Sequence, residues 1–331
     1  MRGASARRCR LVRRVALAAG LPVATTLSGC ELREVTLTEP ERAVIVEAYV
    51  RVAGESPFGP IASNGASVLL HEALGPSGGS GAVPGADIVI TRASDGLRLF
   101  FVETQLGNCA ITIPVAGSGT CYQTLARTVL ERLTPGDRLA LRIELANGGV
   151  LESETVVPGA FSLRNVSSGD VCALPPGRQS GIVWSQSSGA WAYISDTFVT
   201  GLGPIFGTAV VDDPLYLWGL SVSARDTMIA FPGEFGLFAR AEIDHEVTAA
   251  LQQGLPPGAS AVVTVAAVDR NWVNWARGGN FNPSGLVRVP SVRGDGTGVF
   301  AAGVLHTFRV VAGEPGPQMT TCPEAAESSG S

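Results

Sequence analysis

The sequence predicts an all-β protein built from two β-sandwich domains of the immunoglobulin or fibronectin type, with at most one or two short helices in the second. Short segments of alternating apolar and polar residues recur along the chain, separated by turn residues, which is typical of half-buried strands. The chain also contains 41 Gly and 21 Pro, a composition that suits many short strands better than long helices.

The first predicted sandwich covers residues 43–164. Residues 43–52 alternate strictly, with Val46 and Val50 on one face and Glu47 and Arg51 on the other. Two hairpins follow from turn signals at Asp95-Gly96 and Asn147-Gly148-Gly149. The predicted strands of this domain are residues 43–52, 66–70, 86–92, 97–104, 138–145 and 150–157.

The second predicted domain covers residues 165–322 and contains all five tryptophans. Asp244 is positioned to cap a short helix over residues 245–253, which Gly254 and Pro256 would end. Residues 271–277 are interpreted as one helical turn or a loop. The predicted strands are residues 182–186, 190–194, 206–211, 215–222, 261–268 and 299–311, and residues 323–331 are expected to be a disordered tail.

The N-terminus has the pattern of an export signal. Six arginines precede an apolar stretch, residues 15–27, of 13 residues, which is too short to span a bilayer because a spanning helix needs about 20 residues. The stretch ends at Leu27-Ser28-Gly29-Cys30, which resembles the bacterial lipoprotein signal box. We therefore expect a signal peptide over residues 1–29, a lipidated Cys30, and a polar tether over residues 30–42.

The charge of the mature chain restricts its partners. Removal of the leader takes six of the 24 basic residues, which leaves 18 against 29 acidic ones and a formal net charge of −11. An acidic surface disfavours nucleic acid and electrostatic adsorption to anionic lipid. Attachment to the membrane is therefore expected to depend on the lipid at Cys30.

Four cysteines remain beyond Cys30: Cys109, Cys121, Cys172 and Cys322. An even number in an exported protein predicts disulfides, although four cysteines allow three pairings. We expect Cys109 to pair with Cys121, which would close a predicted hairpin, and Cys172 to pair with Cys322, which would join the two ends of the second domain.

No motif in the chain predicts a catalytic, cofactor-binding or metal-binding residue. Gly75-Pro76-Ser77-Gly78-Gly79 matches the nucleophile-elbow pattern, but further Gly and Ser follow where that motif needs a helix. Asp244, His245 and Glu246 are adjacent, so on a helix their side chains point in different directions. The segment from Arg293 to Gly298 lacks the ligand spacing of a calcium loop and is interpreted as a turn between strands.

Aromatic residues are the one feature that indicates binding. Most of the tryptophans are expected in the core, because aromatic side chains are usually buried there. Trp272 and Trp275 differ, since they lie among Asn271, Asn274 and Arg277 in a polar segment. We therefore take Trp272 and Trp275 as a candidate binding surface, with burial in the core as the alternative.

Several segments together resemble a family of envelope lipoproteins catalogued as domain of unknown function 4249. These are Cys30-Glu31, the strand at residues 43–50, residues 83–90, the turn Leu133-Thr134-Pro135-Gly136, residues 153–158 and residues 296–300. The resemblance implies a lipoprotein, most often in the outer membrane, that assists a TonB-dependent receptor. The expected function is ligand or partner binding in that setting, and the alternative is a structural or adhesive envelope module. Neither expectation involves catalysis.

Overall fold

A computed structural model describes residues 43–54, 64–72, 81–109, 119–207, 213–233, 245–279, 289–317 and 319–325. Strands predominate in these residues, as the sequence predicts. The strands are β1 (Val44–Ala53), β2 (Gly65–Glu72), β3 (Asp87–Arg92), β4 (Arg98–Phe100), β5 (Val102–Thr104), β6 (Thr120–Gln123), β7 (Arg138–Glu144), β8 (Val150–Val156), β9 (Val171–Leu174), β10 (Ser180–Val183), β11 (Ala192–Thr200), β12 (Leu215–Leu220), β13 (Met228–Phe231), β14 (Ser260–Val268), β15 (Arg293–Gly294), β16 (Gly296–Ala312) and β17 (Thr320–Thr321).

The largest sheet is organised around β16. Its main strand order is β12-β11-β14-β16-β1-β2-β6-β5, and β9 and β17 join it beside the last residues of β16. β16 pairs antiparallel with β14 on one side and parallel with β1 on the other. Most of β16 is buried on both faces, which agrees with its nearly continuous apolar sequence.

A second sheet of five strands, in the order β15-β8-β7-β3-β4, covers one face of the large sheet. Alternate residues of its strands, including Ile88, Leu141 and Leu151, are buried in the same apolar cluster as Val50 and Phe308 of the large sheet. The intervening residues of β7 and β8 are exposed. The alternation in the sequence therefore marks the inner and outer faces of this sheet correctly.

The prediction of two separate sandwich domains is not confirmed. The described residues all belong to one compact unit, and strands from both predicted domains pair in the same sheet. The parallel register of β1 with β16 runs from Val44 beside Gly296 to Ala53 beside Leu305. Local alternation predicts each of these strands, but it does not indicate that they become neighbours.

Helices are more numerous than predicted. α1 (Arg127–Leu130) lies in the first half, and α2 (Gly203–Phe206), α3 (His245–Gln253) and α4 (Arg270–Gly279) lie in the second. α3 confirms the helix predicted over residues 245–253, whereas Asp244 lies outside the described residues. The strand predicted over residues 206–211 is wrong at Phe206, because Pro204 at the start of α2 favours a helical turn there; residues 208–211 lie outside the described part of the chain.

Both predicted hairpins and both predicted disulfides are present. β3 pairs with β4, and β7 pairs with β8, each in antiparallel register. Cys109 is bonded to Cys121, and Cys172 is bonded to Cys322. The second bond links β9 to the segment after β17, so it fastens the chain's last described strand beside β9, which itself pairs with β16.

Gly298 gives a test of the β1–β16 pairing. Its φ is 137°, which favours glycine. A Cβ added at this position would also overlap the carbonyl oxygen of Val46. We expect Gly298→Ala to lower the free energy of unfolding by about 3 kcal/mol, measured by urea denaturation. The matched control is Gly65→Ala in β2, where a Cβ meets nothing within 4 Å; it should be neutral or slightly stabilising. Equal effects of the two substitutions would contradict this account of the pairing.

Candidate functional site

Trp272 and Trp275 are not an exposed binding surface. They are only 5% and 8% exposed, and they pack with Val273 against the face of the large sheet opposite the second sheet. The Trp272 ring lies 4.8 Å from the Tyr49 ring, centroid to centroid, and 3.4 Å from the position that a Cβ of Gly303 would take. The candidate surface predicted from these two residues is therefore wrong.

The polar residues that made this segment look exposed attach α4 to the strands. The Asn271 side-chain amide donates hydrogen bonds to the carbonyl oxygens of Glu154 and Phe300, at 2.9 Å each. Near the other end of α4, the Arg277 guanidinium donates to the Val222 carbonyl oxygen at 2.6 Å. These contacts allow the tryptophans to face the sheet while polar side chains occupy the sides of the helix.

Asp269 caps the start of α4 and is itself buried. Its Oδ1 accepts a hydrogen bond from the Trp272 N–H at 3.0 Å, the third residue of the helix, as in an N-cap. Its Oδ2 accepts a short hydrogen bond from the Thr155 hydroxyl of β8. Burial raises the pKa of Asp269 to about 6, and these hydrogen bonds oppose that increase.

Trp191, by contrast, is exposed and held at a fixed place. Its side chain is 48% exposed, and its backbone N–H donates to the Val268 carbonyl oxygen at 2.9 Å. The preceding turn is fixed by the Ser187 N–H, which donates to the Tyr193 hydroxyl at 2.8 Å, and by the Ser187 hydroxyl, which donates to the Gly159 carbonyl oxygen at 2.6 Å. The ring therefore projects from a rigid turn.

A cavity of about 310 Å³ opens beside Trp191, where the end of the β7–β8 hairpin meets the start of α4. This volume is at the lower end of the roughly 300–1,000 Å³ typical of small-molecule pockets. We call it the Trp191 cavity. It is lined by Arg138, Glu154, Thr155, Val156, Gly189, Trp191, Asp269, Arg270 and Asn271.

The Trp191 cavity combines an aromatic face with charged groups of both signs. The Arg270 guanidinium carbon lies 5.0 Å from the centre of a Trp191 ring, a cation–π geometry that orients the indole. Among the described residues, the side chains of Arg138 and Glu154 form no hydrogen bond or ion pair with each other or with a third residue. The cavity can therefore offer hydrogen-bond donors, an acceptor and an apolar surface to a ligand.

A second polar cluster lies across the large sheet and is mostly buried. The Arg51 guanidinium approaches Asp196 at 4.0 Å, across the two strands β14 and β16. Burial raises the pKa of Asp196 to about 6, and the Arg51 charge and the Tyr216 hydroxyl act against this. Beside it the hydroxyls of Thr264 and Thr307 are 3.0 Å apart. Because its charges compensate each other, this cluster is a weaker candidate than the Trp191 cavity.

The remaining sequence motifs have structural roles or lie outside the described residues. His306 is buried, with Nε2 2.7 Å from the Phe161 carbonyl oxygen. Asp295 accepts a hydrogen bond from the Val150 N–H at 2.8 Å, as expected for a turn between strands. Across the described residues, no three His, Cys, Asp or Glu side chains are grouped as metal ligands would be. Cys30 and residues 75–79 lie outside the described part of the chain.

Comparison with known proteins finds no family model and no curated protein that matches this sequence. Among the helices in the described ranges, none is long and apolar enough to cross a membrane.

The contrast between Trp272 and Trp191 predicts the outcome of alanine substitutions. Trp272→Ala removes a buried ring and should lower the free energy of unfolding by about 3–5 kcal/mol. Trp191→Ala removes a half-exposed ring and should cost less than about 1.5 kcal/mol. Urea denaturation monitored by circular dichroism measures both. If Trp272→Ala lowered the free energy of unfolding no more than Trp191→Ala does, the burial of Trp272 described above would be incorrect.

The raised pKa of Asp269 predicts a pH dependence of stability. Because the pKa is higher in the folded protein than in the unfolded chain, the favourable contribution is complete below about pH 4 and is lost as the pH rises through about 6. The stability of the wild type relative to Asp269→Asn should therefore fall between pH 4 and pH 7, by at most about 3 kcal/mol. Urea denaturation at pH 4, 5, 6 and 7 tests this.

A second variant checks the cause. Thr155→Val removes a hydrogen bond that holds the pKa of Asp269 down. The loss of stability that accompanies deprotonation of Asp269 should therefore extend to higher pH than in the wild type. Parallel stability curves for the wild type and Asp269→Asn across the whole range would refute the assignment.

Proposed function

We propose that this protein is an exported, lipid-anchored protein of the cell envelope that binds a ligand through the Trp191 cavity. The observation that supports binding is the cavity itself, in which an exposed indole lies among charged side chains that are not neutralised by neighbours. The fixed turn before Trp191 supports a site that is formed before the ligand arrives. Binding without catalysis is proposed.

The signal box at Leu27-Ser28-Gly29-Cys30 supports anchoring through an acylated cysteine. The disulfides Cys109–Cys121 and Cys172–Cys322 agree with an oxidising compartment. The resemblance to the lipoprotein family described above adds the outer membrane as the location and a TonB-dependent receptor as the partner that the protein assists.

Replacement of Cys30 tests the anchor. The wild type, expressed in a bacterial host that processes lipoproteins, should incorporate labelled palmitate and fractionate with membranes. Cys30→Ser should lose the label and shift to the soluble or unprocessed fraction, because the acyl chains supply the membrane affinity. The matched control is Cys9→Ser within the leader, which should behave as the wild type. Membrane retention of Cys30→Ser without any label in the wild type would contradict the proposal.

A further inference from the structure

The geometry of the Trp191 cavity points to a saccharide as its ligand; this inference rests on the proposed binding function and specifies the class of molecule. A sugar ring has an apolar face of C–H groups and a rim of hydroxyls. Those two surfaces match an indole that is half exposed and is surrounded by donors and an acceptor. Arg270 covers one face of the Trp191 ring, so the other face would supply the stacking surface, and Arg138 and Glu154 would bind the hydroxyls.

The charged side chains exclude simpler ligands. An apolar molecule could cover the indole, but it would form no hydrogen bond with Arg138 or Glu154. A small inorganic anion would suit the arginines, but it would leave the indole uncovered and would meet the carboxylate of Glu154. Arginine only donates hydrogen bonds and an ionised carboxylate only accepts them, whereas a hydroxyl does both. A polyhydroxylated ring can therefore accept from Arg138, donate to Glu154 and cover the indole at once.

A free amino acid is the strongest competitor, since its two charges could pair with Arg138 and Glu154. Both of these side chains are exposed in the structure, however, and exposed ion pairs contribute only about 0–1 kcal/mol. An open cavity with an exposed aromatic side chain gains more from covering that ring than from such pairs. This balance favours a ring-shaped neutral ligand over a small zwitterion.

The cavity is also built to keep its shape. Thr155 and Asp269 are joined by a hydrogen bond across the junction of β8 and α4, and Asn271 ties α4 to Glu154 and Phe300. The turn before Trp191 is fixed separately by Ser187. A preformed site loses little conformational entropy on binding, which is important for a weak, solvent-facing interaction.

Isothermal titration calorimetry and intrinsic fluorescence test the inference on the full chain, held in a detergent whose headgroup contains no sugar. The probes are methyl glucoside, N-acetylglucosamine, maltose and cellobiose, with phosphate and a mixture of free amino acids as competitors of other chemistry. We expect at least one saccharide to bind and to change the tryptophan fluorescence. Trp191→Ala should weaken that binding at least tenfold, Trp191→Phe should restore part of it, and Glu154→Gln should weaken it less than Trp191→Ala does.

Phe100→Ala is the matched control. Phe100 is an exposed aromatic on β4, 61% exposed, and it does not line the cavity, so its loss should leave saccharide binding unchanged. The inference is overturned if no saccharide binds at millimolar concentration, or if Phe100→Ala and Trp191→Ala weaken binding equally. Binding of phosphate or amino acids alone, abolished by Trp191→Ala, would overturn the saccharide assignment while supporting the proposed binding function. The Cys30→Ser fractionation tests the anchor independently of either result.

Discussion

The structure depends on the position of β16 between β14 and β1. This single strand is paired along one side with a strand from the second half of the sequence and along the other with the first strand of the body. It is buried on both faces, so each face must be covered by another layer. The five-stranded sheet covers one face and α4 covers part of the other. The two halves of the chain therefore share one core and cannot pack as independent sandwiches.

The Trp191 cavity is a consequence of the same arrangement. The carbonyl oxygen of Ala302 in β16 accepts the Asp269 N–H at 3.1 Å, immediately before α4 begins. Asn271 donates to Phe300, two residues earlier on the same strand. β16 thus sets where α4 starts, and the start of α4 brings Asp269 and Arg270 next to the β7–β8 hairpin. The cavity lies in the space that remains between the helix, the hairpin and the turn at Trp191.

The sequence predicts the local elements well, because period-two alternation and turn residues are local signals. β1, the β7–β8 hairpin and the 245–253 helix follow from such patterns, and both disulfide pairings follow from position along the chain. The parallel pairing of β1 with β16 could not be predicted, since it joins residues about 250 positions apart and parallel neighbours leave no turn signal between them. The two predicted sandwich domains are therefore not confirmed, even though most of the predicted strands are present.

The candidate site shows that the polar composition of a segment does not determine whether its tryptophans are exposed. Asn271, Asn274 and Arg277 made the segment around Trp272 look solvent-exposed, yet the helical period places the tryptophans on one side and the polar groups on another. Trp191 and Tyr193 are two residues apart, which on one strand would bury both. Only Tyr193 is buried, because β11 begins at Ala192 and Trp191 lies before the strand.

The chain is acidic overall, and the two arginines of the Trp191 cavity, Arg138 and Arg270, form no ion pair with any carboxylate in the part of the chain that the structure describes. The full sequence has a formal net charge of −5, with 29 acidic residues against 24 basic ones. Arg92 is compensated by Asp95 and Asp137, and Arg142 by Glu144 and Glu152. Arg270 lies against an indole instead, and Arg138 has no carboxylate within ion-pair distance among the described residues. The contact of Arg270 with the indole itself stabilises the fold by about 0.5–1 kcal/mol, whereas the exposed Arg138 side chain has no such contact and keeps its hydrogen-bond donors available to a ligand.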